Sequence, residues 1–255
     1  MAMHLYSNQF SEEHNFPNSC SPRKFLIIAS TARSGSHILG HALFATRGFG
    51  FPLEYFNPAN FARWKAILGT KNVVDTLQKL FGIRTSENGV FSLKIHYPQL
   101  AVIGGFRNLL QLFPDAYYVF LKRDDLVKQA VSYALALQTG IWISGQDPIG
   151  NARPEYNFEL IHKCLGKIVR ENSRWIYAFQ THGISYKEIE FGQIKNDIKD
   201  AILEIADYAG VNIRPSMTES IHKTSEQGGD LNASWVRRYL EEAKKRDFND
   251  YSGPD

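Results

Sequence analysis

Thr31-Ala32-Arg33-Ser34-Gly35-Ser36 stands between an apolar run, Phe25–Ala29, and a helical pattern that begins near His37. A strand, a short polar turn and a helix start in that order make a cradle for a phosphate-like group. Gly35 lets the backbone approach an anion, and the N–H groups at the helix start point at it. Arg33, Ser34 and Ser36 add charge and donors, with His37 at the helix start beside them. The turn lacks the Gly-x-x-x-x-Gly-Lys-[Ser/Thr] pattern, so it has neither the lysine that reaches a β- or γ-phosphate nor the metal-holding hydroxyl after it. The residues therefore suit a phosphate-like ligand without the ATP and magnesium apparatus.

Two further segments carry candidate chemistry. Tyr117 to Ser132 reads as a strand, a turn and a helix, with Arg123 just past the strand and Ser132 on the helix. In Ser92-Leu93-Lys94-Ile95-His96-Tyr97-Pro98, strand alternation puts Lys94 and His96 on one face. A histidine with an ordinary pKa of about 6.5 is well matched to proton transfer at neutral pH.

The elements that must position these residues follow from periodicity. Strands are expected at Phe25–Ala29, Gly89–His96, Ala116–Leu121 and Ser185–Phe191. Helices are expected from near His37, from Asp124 or Asp125 to Thr139, and over Tyr156–Thr181, Gln193–Ala209 and Ser234–Lys245. Such alternation predicts an α/β fold, P-loop-like and three-layered, with a mainly parallel central sheet flanked by helices. Ligands of open α/β sheets gather at the carboxyl ends of strands, so Thr31–Ser36, Lys94–Pro98 and Lys122–Asp125 are expected to converge.

With 255 residues, net charge +3 and 44% hydrophobic residues, the chain suits one domain over 24–246. A polar tail follows at 247–255. Met1–Arg23 has no apolar segment of signal-peptide type and reads as a disordered tail. The small positive balance without long Lys/Arg runs fits a small anion better than nucleic acid. Cys20 and Cys164 are far apart and lack partners at ligand spacing, which argues against a disulfide framework or zinc site and for a cytoplasmic protein. No apolar run reaches the roughly 20 residues of a membrane span, so any membrane contact is expected to be peripheral.

The cradle together with Arg123 and Ser132 resembles the sulfotransferases that use 3′-phosphoadenosine 5′-phosphosulfate (PAPS). Within that superfamily the chain is most similar to the bacterial carbohydrate sulfotransferases typified by trehalose 2-sulfotransferase. The matching residues are Arg33-Ser34-Gly35-Ser36, Pro52-Leu53-Glu54-Tyr55-Phe56, Arg123 with Gln129-Ala130-Val131-Ser132, Gln138-Thr139-Gly140-Ile141-Trp142, and Trp235 with Arg238-Tyr239. The resemblance implies PAPS as donor, 3′-phosphoadenosine 5′-phosphate (PAP) as product, no metal, and a homodimer acting on a carbohydrate or glycolipid hydroxyl.

By that resemblance Arg33, Ser34, Gly35, Ser36 and His37 hold the 5′-phosphosulfate, and Arg123 and Ser132 the 3′-phosphate. Glu54 takes the place of the catalytic glutamate. Lys94 and His96 resemble the Lys-x-His-x-Pro strand end of eukaryotic cytosolic relatives, where lysine contacts the transferring group and histidine is the base. Glu54 ranks first as base and His96 second. Lys223 stands where a loop arginine covers the 3′-phosphate and adenine, and lysine lacks that residue's bidentate geometry. Phe51, Tyr55, Phe56, Phe61 and Trp64 read either as a sugar platform or as core and dimer contact.

Two other functions remain open on the residues. A P-loop-type small-molecule kinase or NTPase shares the strand, loop and helix, and would show magnesium-dependent ATP binding. A noncatalytic protein that binds a nucleotide or sulfated glycan would bind donor yet be indifferent to changes at Glu54 and His96.

Overall fold

Side chains along β1 (Lys24–Ser30) alternate between two apolar layers. Ile27 and Ala29 join Phe91, Leu93, Ile95 and Phe120 on one face; Leu26 and Ile28 join Val90, Val119, Leu121 and Ile189 on the other. A strand covered on both sides suits a parallel sheet. In this computed structural model, which describes residues 7–17, 20–143, 153–213 and 229–246, β1 pairs in parallel with β2 (Val90–His96) and β3 (Tyr117–Lys122). Strand β3 pairs in parallel with β4 (Tyr186–Glu190), giving the order β2-β1-β3-β4. The register sets Ser30 beside both His96 and Leu121, so the carboxyl ends of the central strands lie at one edge.

One face of the sheet is covered by α1 (Ser36–Ala45) and α8 (Ile198–Ala209), through Leu39, Leu43, Ile202 and Ile205. Lys24 Nζ donates to the carbonyls of Ala209 and Gly210, a cation on the negative end of α8. The other face is covered by α2 (Pro58–Leu68), α3 (Val73–Arg84), α4 (Phe106–Leu112) and Trp175 and Phe179 of α6 (Phe158–Thr181). None of α2, α3 or α4 was among the helices expected from periodicity.

The chain divides into two compact units, Met1–Asp124 with Arg170–Thr224, and Asp125–Val169 with Ser225–Asp255. The first contains the sheet. The second is built from α5 (Leu126–Thr139), the first part of α6 and α9 (Asp230–Lys245). Asp125 caps α5 by accepting from the Lys128 N–H at 2.8 Å, and Gly140 ends it in the left-handed conformation. Within this unit Phe158 stacks on Tyr239 and Tyr156 meets Trp235 edge-on, so Trp235 and Tyr239 are core residues there.

Three expectations are corrected. The fourth strand stops at Glu190 because that residue starts α7 (Phe191–Asn196), its N–H donating to Gln193 Oε1 at 2.7 Å. The single helix expected over Gln193–Ala209 is two helices. Asp197 separates them, since its carboxylate accepts the N–H groups of Lys199 and Asp200 and caps α8.

The tail expected over Met1–Arg23 is ordered where described, with short 3-10 turns at Ser7–Phe10 and Glu12–His14. Its aromatic residues decide this. Phe10 meets Trp64, Phe16 meets Phe44, and the buried Arg84 guanidinium donates to the Gln9 and Ser11 carbonyls at 3.1 Å.

Gly40 on α1 faces the Pro52 carbonyl, and a Cβ there would stand 2.6 Å from that oxygen. Gly82, exposed inside α3, has nothing within 4 Å. Urea unfolding of Gly40→Ala is expected to show a loss of about 1–3 kcal/mol. Gly82→Ala is expected to gain roughly 0.5–1 kcal/mol by restricting the unfolded chain.

Candidate active site

The cradle is the passage from β1 into α1. Trp175 Nε1 donates to the Ser30 carbonyl at 3.1 Å, which fixes the end of the strand. Arg33 then adopts a left-handed φ of 64°, and Gly35 follows at 93° as the residue before the helix. A non-glycine residue in that region is strained, and such strain collects at ligand-binding turns. Gly35 is required here on a second count, because a Cβ would stand 2.3 Å from the Phe191 ring. No side chain of the preceding residue caps α1, and its first turn holds no acid, so the positive end of the helix dipole at this turn favours an anion. The Ser34 hydroxyl is buried and has no hydrogen-bond partner among the described residues, which suits a donor waiting for an acceptor.

Glu54 is delivered by the 51–54 segment alongside β2. Leu53 forms a parallel bridge to Leu93, and the Lys94 N–H donates to the Leu53 carbonyl at 3.0 Å. The glutamate therefore falls beside Lys94 and His96. Lys94 Nζ stands 3.2 Å from Glu54 Oε1, Gln99 Nε2 donates to Oε2 at 2.7 Å, and His96 Nδ1 lies 3.8 Å from Oε2. The side chain of Lys94 is 5% exposed and that of Glu54 21%, so the ammonium is buried with its counter-charge while the carboxylate keeps access to solvent. The two candidate bases and the candidate lysine thus form one cluster.

Arg123, one residue past β3, donates from Nη1 to the Arg33 carbonyl at 3.3 Å and lies 4.6 Å over the Phe191 ring. Phe191 thereby touches both Gly35 and Arg123. Ser132 lies on α5, in the second unit, and Lys223 lies outside the described residues. Phe51, Tyr55, Phe56, Phe61 and Trp64 are all buried in the core of the first unit, which answers the open choice between platform and core. They are core.

Charge is distributed unevenly over these groups. Burial alone would raise the Glu54 carboxyl, but the charges of His96 and Lys94 and hydrogen bonds from Gln99 and Lys94 hold it at about 2. It is ionised at neutral pH. Burial, and next the Arg123 charge, bring the Arg33 guanidinium down to about 10. Two guanidinium groups brought this close are stabilised by an anion. Burial, then the charge of Lys94, pushes His37 to about 2 and His41 to about 4, so both are neutral imidazoles at physiological pH.

The Stf0 sulphotransferase family model matches residues 25–242. The chain belongs to the Stf0 sulphotransferase family. Trehalose 2-sulfotransferase of Mycolicibacterium smegmatis is 21% identical over 88% of this chain and 97% of its own length. The Mycobacterium tuberculosis enzyme of the same name is 24% identical over 88% and 96%. Among solved structures, a mouse sulfotransferase complexed with PAP shares the fold at a TM-score of 0.52 and 12% identity, covering 89% of this chain and 85% of its own. This Stf0 chain is a transferase with an α/β sulfotransferase fold.

Gln99, Phe191 and Trp175 are site residues that sequence reasoning missed. Gln99 lies one residue beyond the Lys-x-His-x-Pro match, where it could have been noticed. Phe191 and Trp175 give no local signal, because each reaches the cradle from a distant element.

The neutral imidazoles give the stability of this protein a direction with pH. His37 and His41 in the fold bind protons only well below 6.5, the ordinary value at which the unfolded chain takes them up. Their contribution is whole above about pH 6.5 and falls as pH drops toward 4 and below, because the unfolded state then binds more protons. Thermal unfolding between pH 7.5 and 4.5 is expected to show a falling midpoint, with a shallower fall in His41→Gln.

Proposed function

We propose that this protein moves a sulfuryl group from PAPS to a carbohydrate or glycolipid hydroxyl and releases PAP. The resemblance supports a single sulfotransferase domain over 24–246. One observation carries the reading. Ser30, the last residue of β1, pairs with His96, so the turn that leaves β1 and the Lys94–Glu54 pair beside β2 lie at the same end of the sheet, which supports a single site. The curated relatives named as trehalose 2-sulfotransferases support a sugar acceptor.

In the proposed transfer the acceptor oxygen attacks sulfur in line. The bond from sulfur to the bridging oxygen of the 5′-phosphosulfate breaks, and its electron pair leaves on the 5′-phosphate of PAP. The acceptor proton passes to Glu54, with His96 as the second candidate. The N-terminal end of α1, with Arg33, Ser34 and Ser36, stabilises the charge that builds on the leaving phosphate. Arg123 holds the 3′-phosphate, and the resemblance gives Ser132 and Lys223 as further ligands of the donor. Lys94 has a double part. While it grips Glu54 it keeps that carboxylate a weak base, and a donor on the cradle competes for the same ammonium, which would make Glu54 more basic once donor is bound.

The resemblance also supports a homodimer and a reaction without a bound metal. The free thiols of Cys20 and Cys164 suit the reducing cytoplasm. Among the described residues no helix is long and apolar enough to cross a membrane.

Calorimetric titration with PAP, beside ATP with magnesium, tests the donor. Binding of PAP with little response to ATP is expected; the reverse would return the cradle to the kinase reading. Arg123→Ala is expected to weaken PAP by about ten- to a hundredfold, the worth of a charged hydrogen bond. Glu54→Gln is expected to lower turnover by roughly 10²–10⁴ while PAP affinity stays within a factor of about two. Equal loss of PAP binding in both variants would contradict this division of roles.

A further inference from the structure

Gln99 occupies the third position of the 3-10 helix Tyr97–Ile103 and is 7% exposed. Its Oε1 accepts the backbone N–H of His96 at 3.0 Å, and its Nε2 donates to Glu54 Oε2 at 2.7 Å. The first bond fixes which way the amide faces, since the reversed amide would turn an NH₂ toward an N–H and an oxygen toward a carboxylate. One side chain therefore ties the carboxylate to the backbone of the neighbouring imidazole. We propose that Gln99 is a positioning residue for proton transfer, fixing Glu54 on the backbone of His96 so that the carboxylate and the imidazole keep one geometry. The inference rests on the proposed part of Glu54 and His96 in taking the acceptor proton.

Lys94 alone does not supply this. Its ammonium is a point charge on a flexible stem and restrains distance more than direction. The amide bond is directional, and it meets the Glu54 oxygen that faces His96. The charged and titratable groups facing Glu54 are Lys94 and His96 from β2 and His37 from α1. Gln99 adds an uncharged amide that donates directly to the Glu54 carboxylate.

The bland function of Gln99 is to cap its own helix, and Gln99→Glu separates the two. A glutamate at this position still accepts the His96 N–H, so the cap survives. It loses the donor to Glu54 and sets a second carboxyl against it. Two carboxyls at that distance cannot both ionise easily and retain a shared proton to higher pH.

With carboxyl-¹³C glutamate incorporated into the full chain, the wild-type Glu54 resonance, identified by its loss in Glu54→Gln, is expected not to titrate between pH 7.5 and 4.5. In Gln99→Glu a titration step absent from wild type is expected inside that range, with a lower unfolding midpoint at pH 7.5 and PAP affinity near wild type. A Gln99→Glu protein that folds and shows no such step would overturn the proposal.

Turnover with labelled PAPS and trehalose as the acceptor probe reads the consequence. Gln99→Glu is expected to lose at least about tenfold in kcat on going from pH 8.5 to 6.5, beyond any loss in wild type. If Gln99→Glu does not fold, Gln99→Met decides: a fall in kcat at unchanged PAP affinity supports the proposal, and wild-type kcat overturns it. Full turnover by Glu54→Gln would instead remove the reading of Glu54 as base, whatever the resonance does, so the two failures are told apart.

Discussion

The parallel register of β1 between β2 and β3 is the constraint on which the rest of the site depends. Ser30 is level with His96 on one side and Leu121 on the other, so all three strands end together. The cradle leaves from β1, His96 ends β2, and Arg123 follows β3 by one residue. A slip of one residue in β2 would turn Lys94 and His96 toward the opposite apolar layer and take both away from Glu54. Hydrophobic side chains buried on the two faces forbid that slip. Core packing, through register, therefore sets the chemistry at the edge.

Charge follows from this geometry. Lys94 is buried on a strand, where a lone ammonium would be costly, and the bridge between Leu53 and Leu93 brings Glu54 to it as counter-charge. The same pairing makes Glu54 strongly acidic and keeps it ionised. Around the cradle the balance is opposite, with Arg33 and Arg123 adjacent and no acid in the first turn of α1. One end of the site thus favours an anion and the other holds a carboxylate that can take a proton. That polarity is what group transfer from an anionic donor to a neutral hydroxyl requires.

Contacts between distant segments maintain the arrangement. Phe191 fills the space that Gly35 leaves open and gives Arg123 an aromatic face, while Trp175 satisfies the carbonyl just before the turn. On the other side of Glu54, its backbone carbonyl accepts from Asn60, whose own side-chain oxygen accepts from Gln9. The N-terminal segment, polar enough to read as a tail, is in this way continuous with the hydrogen bonding that supports the glutamate.

By itself the sequence determined the local pieces: four strands, the polar turn with Gly35, a cap for α5 at Asp124 or Asp125 and its stop at Gly140, and the identities of Arg33, Lys94, His96 and Arg123. Those signals are short-range, carried by period-two alternation and by residues whose preferences act within a turn. Glu54 was legible through resemblance alone, because a lone carboxylate in a loop carries no pattern. Tertiary structure decided what depends on partners far along the chain. It placed Glu54 beside Lys94, turned the aromatic run Phe51–Trp64 into core, ordered part of the N-terminal segment against Trp64 and Phe44, and divided the helix before Ala209 at Asp197. It also recruited Gln99, Phe191 and Trp175, whose roles come from the direction and distance of a hydrogen bond or ring contact. Residue type and spacing encode neither quantity until the sheet register has been set.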